Sequence, residues 1–202
     1  FPFLWYTKVD KFKFKKGAVM VKFSRMIETV DSHTGGQPTR TIIAGLPVLK
    51  GNNMTEKMVY MKEHEDWVRT FFTSEPRGTK LSSVAVLTEP VDREADIGAF
   101  FFESCGYMAM CGHDTIGIST VLAETGKIGL TEPKTELIID TPNGLIRVQI
   151  AVKDGKVKNV TFRNTPSFAF GFDMEIEYMG RSILFDVGYG GNFFAIFKTD
   201  DF

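Results

Sequence analysis

Met110-Cys111-Gly112-His113-Asp114-Thr115-Ile116-Gly117, preceded by Gly106-Tyr107-Met108-Ala109, sets a cysteine in a turn immediately before a helix. That helix is expected over residues 113–125, with Gly126 positioned to close it as a C-cap. Working outward, residues 83–88 and 96–102 read as strands on the N-terminal side, the second carrying Phe100-Phe101-Phe102. On the C-terminal side, strands are expected over 137–140, 144–152 and 156–163, the last two joined by an Asp154-Gly155 hairpin turn. Residues 25–30 and 41–44 read as two more strands, separated by the turn-rich 31–38. Residues 54–72 lack Gly and Pro and place Met54, Met58, Met61, Trp67 and Phe71 at roughly helical spacing, so one helix with a packed Met/Trp face is expected. Glu75-Pro76-Arg77-Gly78 ends it. The pattern is α+β, mostly antiparallel strand with two helices.

The whole chain is 202 residues with a formal charge of −1, 43% hydrophobic and 24% charged. Such a balance gives no clustered cationic excess for nucleic acid, and such a composition is that of a folded domain. No apolar run approaches the ~20 residues needed to cross a bilayer, so no membrane partner is expected. Two cysteines make no disulfide framework, which points to a reducing cytoplasm. Residues 1–19 stand apart, with Lys8, Lys11, Lys13, Lys15 and Lys16 against Asp10 and aromatic side chains among them. They are expected to be an extension upstream of the fold, a peripheral strand or surface tail being the alternative. Strands are also expected over 183–187 and 193–198, joined by Gly188-Tyr189-Gly190-Gly191-Asn192, and their edges would need neighbours.

The chemistry centres on Cys111. The first N–H groups of a helix lack internal partners and present partial positive charge. A thiol at that position is expected to have a lowered pKa, and the same N–H groups can hold a carboxylate. Free cysteine is also among the most buried residue types, so packing alone remains open for it. Cys105 lies at a strand end with less to recommend it. Cys105, Cys111 and His113 are too few, at too unusual a spacing, for a structural metal site. A cysteine hydrolase would need His33 or His64 as base, and His64 lies in the polar run Lys62-Glu63-His64-Glu65-Asp66.

Met110-Cys111-Gly112-His113 with Thr115-Ile116-Gly117 resembles the first cysteine motif of the proline racemase family, which includes hydroxyproline epimerases and trans-3-hydroxyproline dehydratases. Asp31-Ser32-His33-Thr34-Gly35-Gly36 with Pro38-Thr39-Arg40 is similar to the family's N-terminal signature. Glu75-Pro76-Arg77-Gly78, Thr141-Pro142-Asn143-Gly144 and Tyr189-Gly190-Gly191-Asn192-Phe193 match further blocks in the same order. Gln37 departs from an acidic residue, and Asp114 from a commoner glycine, which places negative charge beside the site.

The resemblance implies a diaminopimelate epimerase-like α+β fold, a mostly antiparallel sheet wrapped round a central helix, in two domains with the site between them. It divides the chain into an extension (1–21), a first domain (22–172) and the beginning of an incomplete second (173–202). It implies inversion at the α-carbon of proline or hydroxyproline by two cysteines on opposite faces, without cofactor or metal. Carried over, Cys111 is one acid/base, the Gly112 and His113 amides bind the substrate carboxylate, and Phe101 is a candidate wall of the ring pocket. The second cysteine would lie in an Asp-x-x-x-Cys-Gly-Thr-Gly-like loop past residue 202. The 202-residue chain alone is therefore expected to be inactive. A dehydratase, which carries threonine at that second position, and a non-catalytic split or degenerate member are the alternatives. A homodimer is compatible with the full-length form.

Overall fold

The computed structural model describes residues 25–201. The extension expected over 1–21 lies outside them. Strands β1 (Glu28–Thr34) and β2 (Gln37–Ala44) form a hairpin closed by Gly35 and Gly36 alone, at φ +60° and +94°. A two-residue turn with both φ positive matches the twist of the flanking strands, which suits Gly-Gly. The turn expected over 31–38 is thus mostly strand. Its polar residues pair across the ladder instead: Asp31 sits opposite Arg40, whose Nε and Nη2 donate to the two carboxylate oxygens at 2.7 and 2.8 Å.

The helix expected over 54–72 is two helices, α1 (Met54–His64) and α2 (Trp67–Thr73). The break falls at Glu65, whose carboxylate accepts from Arg25 and from Trp67 Nε1. It resets the helical phase. Val68 and Phe72 turn inward with Met54 and Met61, whereas Trp67 and Phe71, expected in the core, stand half out of it.

Strand β2 pairs in parallel with β3 (Ser83–Thr88), which runs antiparallel to β4 (Ile97–Glu103). A short β5 (Gly106–Met108) folds back on β4, and α3 (Gly112–Glu124) then carries the chain across to β6 (Lys134–Thr141), parallel to β4. Strands β7 (Gly144–Lys153) and β8 (Lys156–Arg163) complete an antiparallel meander through the expected Asp154-Gly155 turn, both residues at positive φ. Helix α3 touches β1 and β2 at one edge of the sheet and β7 and β8 at the other, so the sheet curves round it. Its end is a Schellman motif: Gly126 at φ +70°, with Lys127 N–H donating to the Leu122 carbonyl and Gly126 N–H to that of Ala123.

Strand alternation on β4 divides its phenylalanines between two cores. Phe101 packs with Ala99, Ile118, Leu137, Ile146 and Val148 beneath α3. Phe100 and Phe102 face Met54, Met61, Val68 and Phe72 beneath α1 and α2. All three are fully buried.

A second sheet follows, of β9 (Phe168–Tyr178), β10 (Arg181–Tyr189) and β11 (Phe193–Phe197) in the order β11-β10-β9, all antiparallel. β9 was not among the expected strands, and the boundary expected after residue 172 falls inside it. The chain leaves the first sheet after Arg163 and enters the second at Phe168.

Candidate active site

Cys111 is the N-cap of α3, in extended conformation, and its carbonyl accepts the first helical bond from Thr115 N–H at 3.0 Å. The Gly112 and His113 N–H groups belong to the open first turn, where no intrahelical acceptor exists for them. A Cβ at Gly112 would stand 3.3 Å from the Phe162 ring on β8, a tight contact to which the ring would have to yield. Hairpin β1–β2 holds the same turn from the other side, Thr34 Oγ1 donating to the His113 carbonyl at 3.0 Å.

Cys111 is half-buried, and its Sγ lies 3.2 Å from His113 Nδ1. Burial pushes the thiol pKa up to about 12, the Asp114 and Glu103 carboxylates adding to the rise and the Asp114 N–H opposing it. This reverses the expected lowering. The charged form loses more from leaving water beside a carboxylate than the helix end returns. At neutral pH the group is a thiol.

His113 Nε2 lies 3.0 Å from Asp114 Oδ1, and the carboxylate beside it holds the imidazole pKa above its ordinary value, against an opposing contribution from burial. Asp114 is fully buried. Thr39 Oγ1 on β2 donates to its Oδ1 at 2.5 Å, and Ser83 Oγ on β3 to its Oδ2 at 2.6 Å. The sequence marked Asp114 as a charge near the site. It gave no sign of the two hydroxyls, which come from residues distant in sequence. One donor atom from each of Cys111, His113 and Asp114 lies within 4.8 Å of the others. The three groups thus cluster, and His113 Nε2, although 3.0 Å from Asp114 Oδ1, is buried without a hydrogen-bond partner.

Two further blocks meet at the loop before Cys111. Asn192 Nδ2 donates to the Met110 carbonyl at 2.6 Å, Asn143 Nδ2 to the Gly191 carbonyl, and Tyr189 OH to Asn143 Oδ1 at 2.9 Å. Gly191, at φ +105°, comes so near that a Cβ would stand 3.0 Å from Met110. The second sheet is thereby pinned to the cysteine loop.

Other expected residues lie elsewhere. Phe101, expected to line a ligand pocket, is sealed in the core beneath the site with no surface to offer. Cys105 stands exposed in the turn between β4 and β5. His33 is exposed on the hairpin, and His64 packs its ring against Tyr60 on α1. A cleft of about 720 Å³ opens on the α1–α2 face of the first sheet, opposite α3, lined by Arg25, Arg40, Trp67, Phe71 and Arg77. No helix among the described residues is long and apolar enough to cross a membrane.

The chain belongs to the proline racemase family, whose model matches residues 29–202. It is 43% identical over 177 residues to the proline racemase of Clostridioides difficile, covering 87% of this chain and 53% of that protein. It is 34% identical over 182 residues to a trans-3-hydroxy-L-proline dehydratase of Bacillus cereus, covering 90% and 54% respectively. The fold superposes with a TM-score of 0.82, at 28% identity, on a hydroxyproline epimerase from Agrobacterium vitis solved with bound trans-4-hydroxy-L-proline, covering 90% of this chain and 54% of that one. The chain spans about half the length of the curated relatives it matches.

Proposed function

We propose that this chain carries one half of the site of a cofactor-independent proline racemase or hydroxyproline epimerase. Residues 28–163 form its first domain and residues from Phe168 onward open its second. The observation that carries the reading is Cys111 at the head of α3, its sulfur beside a first helical turn whose N–H groups are open to an acceptor. A substrate carboxylate held by the Gly112 and His113 amides would present its α-carbon to that sulfur. Inversion then needs a proton removed from one face and another delivered to the opposite face. One sulfur serves one face. Protonated as it is at neutral pH, Cys111 begins as the donor. The acceptor belongs to the opposite side of the substrate, which the relatives' further length would supply. Both cysteines are free thiols, which suits chemistry in a reducing cytoplasm.

The 202-residue chain alone is therefore inactive. Chiral chromatography of L-proline and trans-4-hydroxy-L-proline incubated with the purified chain tests this. No inversion is expected, and turnover that disappears in Cys111→Ser would overturn the statement of inactivity. A trans-3-hydroxyproline dehydratase is the second reading, favoured by the Bacillus cereus relative. Loss of water from trans-3-hydroxy-L-proline would distinguish it once the second half of the site is supplied.

A further inference from the structure

We propose that Cys111, His113 and Asp114 form a binding site for a thiophilic divalent cation of the Zn²⁺ class, which holds the cysteine sulfur out of reaction until it is withdrawn. That the ion silences the site rests on the reading of Cys111 as an acid/base; that the ion binds does not.

The donor set is a sulfur, an imidazole nitrogen and a carboxylate oxygen, a mixture that suits Zn²⁺ rather than Mg²⁺ or Ca²⁺. One donor atom from each residue lies within 4.8 Å of the others. Tetrahedral coordination sets such donors about 3.3–3.8 Å apart, so the set has to contract by about 1 Å. Each group has a reason to accept the ion. Asp114 is fully buried, and among the described residues no lysine or arginine pairs with it. A buried carboxylate without a cation is costly. Thr39 Oγ1 and Ser83 Oγ each donate to one of its oxygens, which fixes the carboxylate and leaves each oxygen a further lone pair. His113 Nε2 is buried without a hydrogen-bond partner, and coordination would supply one. Cys111 caps α3 three residues before Asp114, so both side chains come from the same turn.

Binding breaks the Sγ–H bond, the proton leaving to water, and forms a sulfur–metal bond with no change of oxidation state. Thiolate and carboxylate then cancel the two charges of the ion beside a neutral imidazole. This offsets the repulsion that the positive helix end would exert on a bare cation. Cys111 and the His113 ring are partly exposed, so the ion enters from water and keeps a fourth position open to it. The trio of Cys105, Cys111 and His113 fell short of a metal site in sequence. Asp114 takes the place of Cys105, which stands apart in an exposed turn.

The test uses the full chain, free of any polyhistidine tag, with Cys105→Ser to remove the competing exposed thiol. Co²⁺ is titrated in without oxygen as a spectroscopic stand-in for Zn²⁺. One Co²⁺ per chain should bind, with a near-ultraviolet sulfur-to-cobalt charge-transfer band and the intense visible bands of tetrahedral coordination. Zn²⁺ should bleach both. Cys111→Ser should abolish the charge-transfer band, and Asp114→Asn should weaken binding at least about tenfold. X-ray absorption of the Zn²⁺-loaded chain needs no substitution in the trio and so stands even where Asp114→Asn fails to fold. It should show one sulfur among nitrogen and oxygen donors. No sulfur, two sulfurs, a charge-transfer band that survives Cys111→Ser, or unchanged affinity in folded Asp114→Asn would overturn the proposal. In a completed site, Zn²⁺ should stop inversion of L-proline and EDTA should restore it. Binding that leaves inversion untouched would spare the metal site and sink the role of Cys111 in proton transfer. Inversion in a chain that binds no ion would do the reverse.

Discussion

Phe100, Phe101 and Phe102 on β4 are each 0% exposed, whereas Phe168, Phe170 and Phe172 on β9 are 52, 62 and 71% exposed. The residue type is the same, and the contrast comes from what lies over each sheet. The first sheet has α3 against one face and α1 with α2 against the other. No helix among the described residues packs on the second, and Leu184, Phe193, Phe194 and Ile196 are exposed on β10 and β11 as well. Apolar area on this scale marks an interaction face. The comparison teaches that the chain holds one finished core and one unfinished one, joined at the cysteine loop by Asn143, Tyr189 and Asn192.

The sharpest way to break that comparison is to make similar cuts on its two sides. Phe101→Ala should destabilise the chain by about 3–5 kcal/mol in urea unfolding, as expected for a fully packed ring. Phe172→Ser should change stability by less than about 0.5 kcal/mol. Equal losses would mean the second sheet is as well packed as the first. At the join, Asn192→Ala leaves the Met110 carbonyl without its donor and should cost about 1–3 kcal/mol. The same substitution should speed alkylation of Cys111, because the loop bearing it loosens. An unchanged rate would show that the second sheet does not steady the thiol. On the exposed face, Phe170→Ser with Phe172→Ser should lower light scattering and binding of a hydrophobic dye while the melting temperature holds.

The smallest expected effect concerns pH. His113 is raised above the ordinary histidine value of 6.5 by Asp114. Its stabilisation is therefore fully present below that value and lost as the pH climbs through the higher folded value. Melting temperature should decline modestly over that alkaline range, and His113→Gln should flatten the decline. The acid side has other causes. Asp31, Glu65 and Asp66 are held below the usual carboxylate range by Arg40, Arg25 and Arg69, so their contribution is lost as the pH falls through those depressed values.

Helix α3, its Gly126 cap, β3 and the β6–β8 meander were legible because local signals and tertiary outcome agree there. The hairpin is hidden because the residues from Asp31 to Pro38 look like a turn until Asp31 is seen as the cross-strand partner of Arg40. The α1–α2 break was invisible because Glu65 owes its place to Arg25, forty residues away. β9 alternates apolar and other residues from Phe168 to Tyr178, so its period was available to reading. Its exposure was not, because that depends on what covers it. At the site, the position of Cys111 could be read. Its high pKa could not, because it comes from burial and from Asp114, whose hydroxyl partners lie on β2 and β3.

The central claim is that Cys111 exchanges protons with a substrate α-carbon once the other half of the site is present. A chimaera in which this chain replaces the matching half of the Clostridioides difficile proline racemase can be incubated with L-proline in D₂O and followed by proton NMR. The account predicts loss of the α-proton signal with appearance of D-proline, both abolished by Cys111→Ser. Inversion that persists at full rate without the Cys111 sulfur would contradict it.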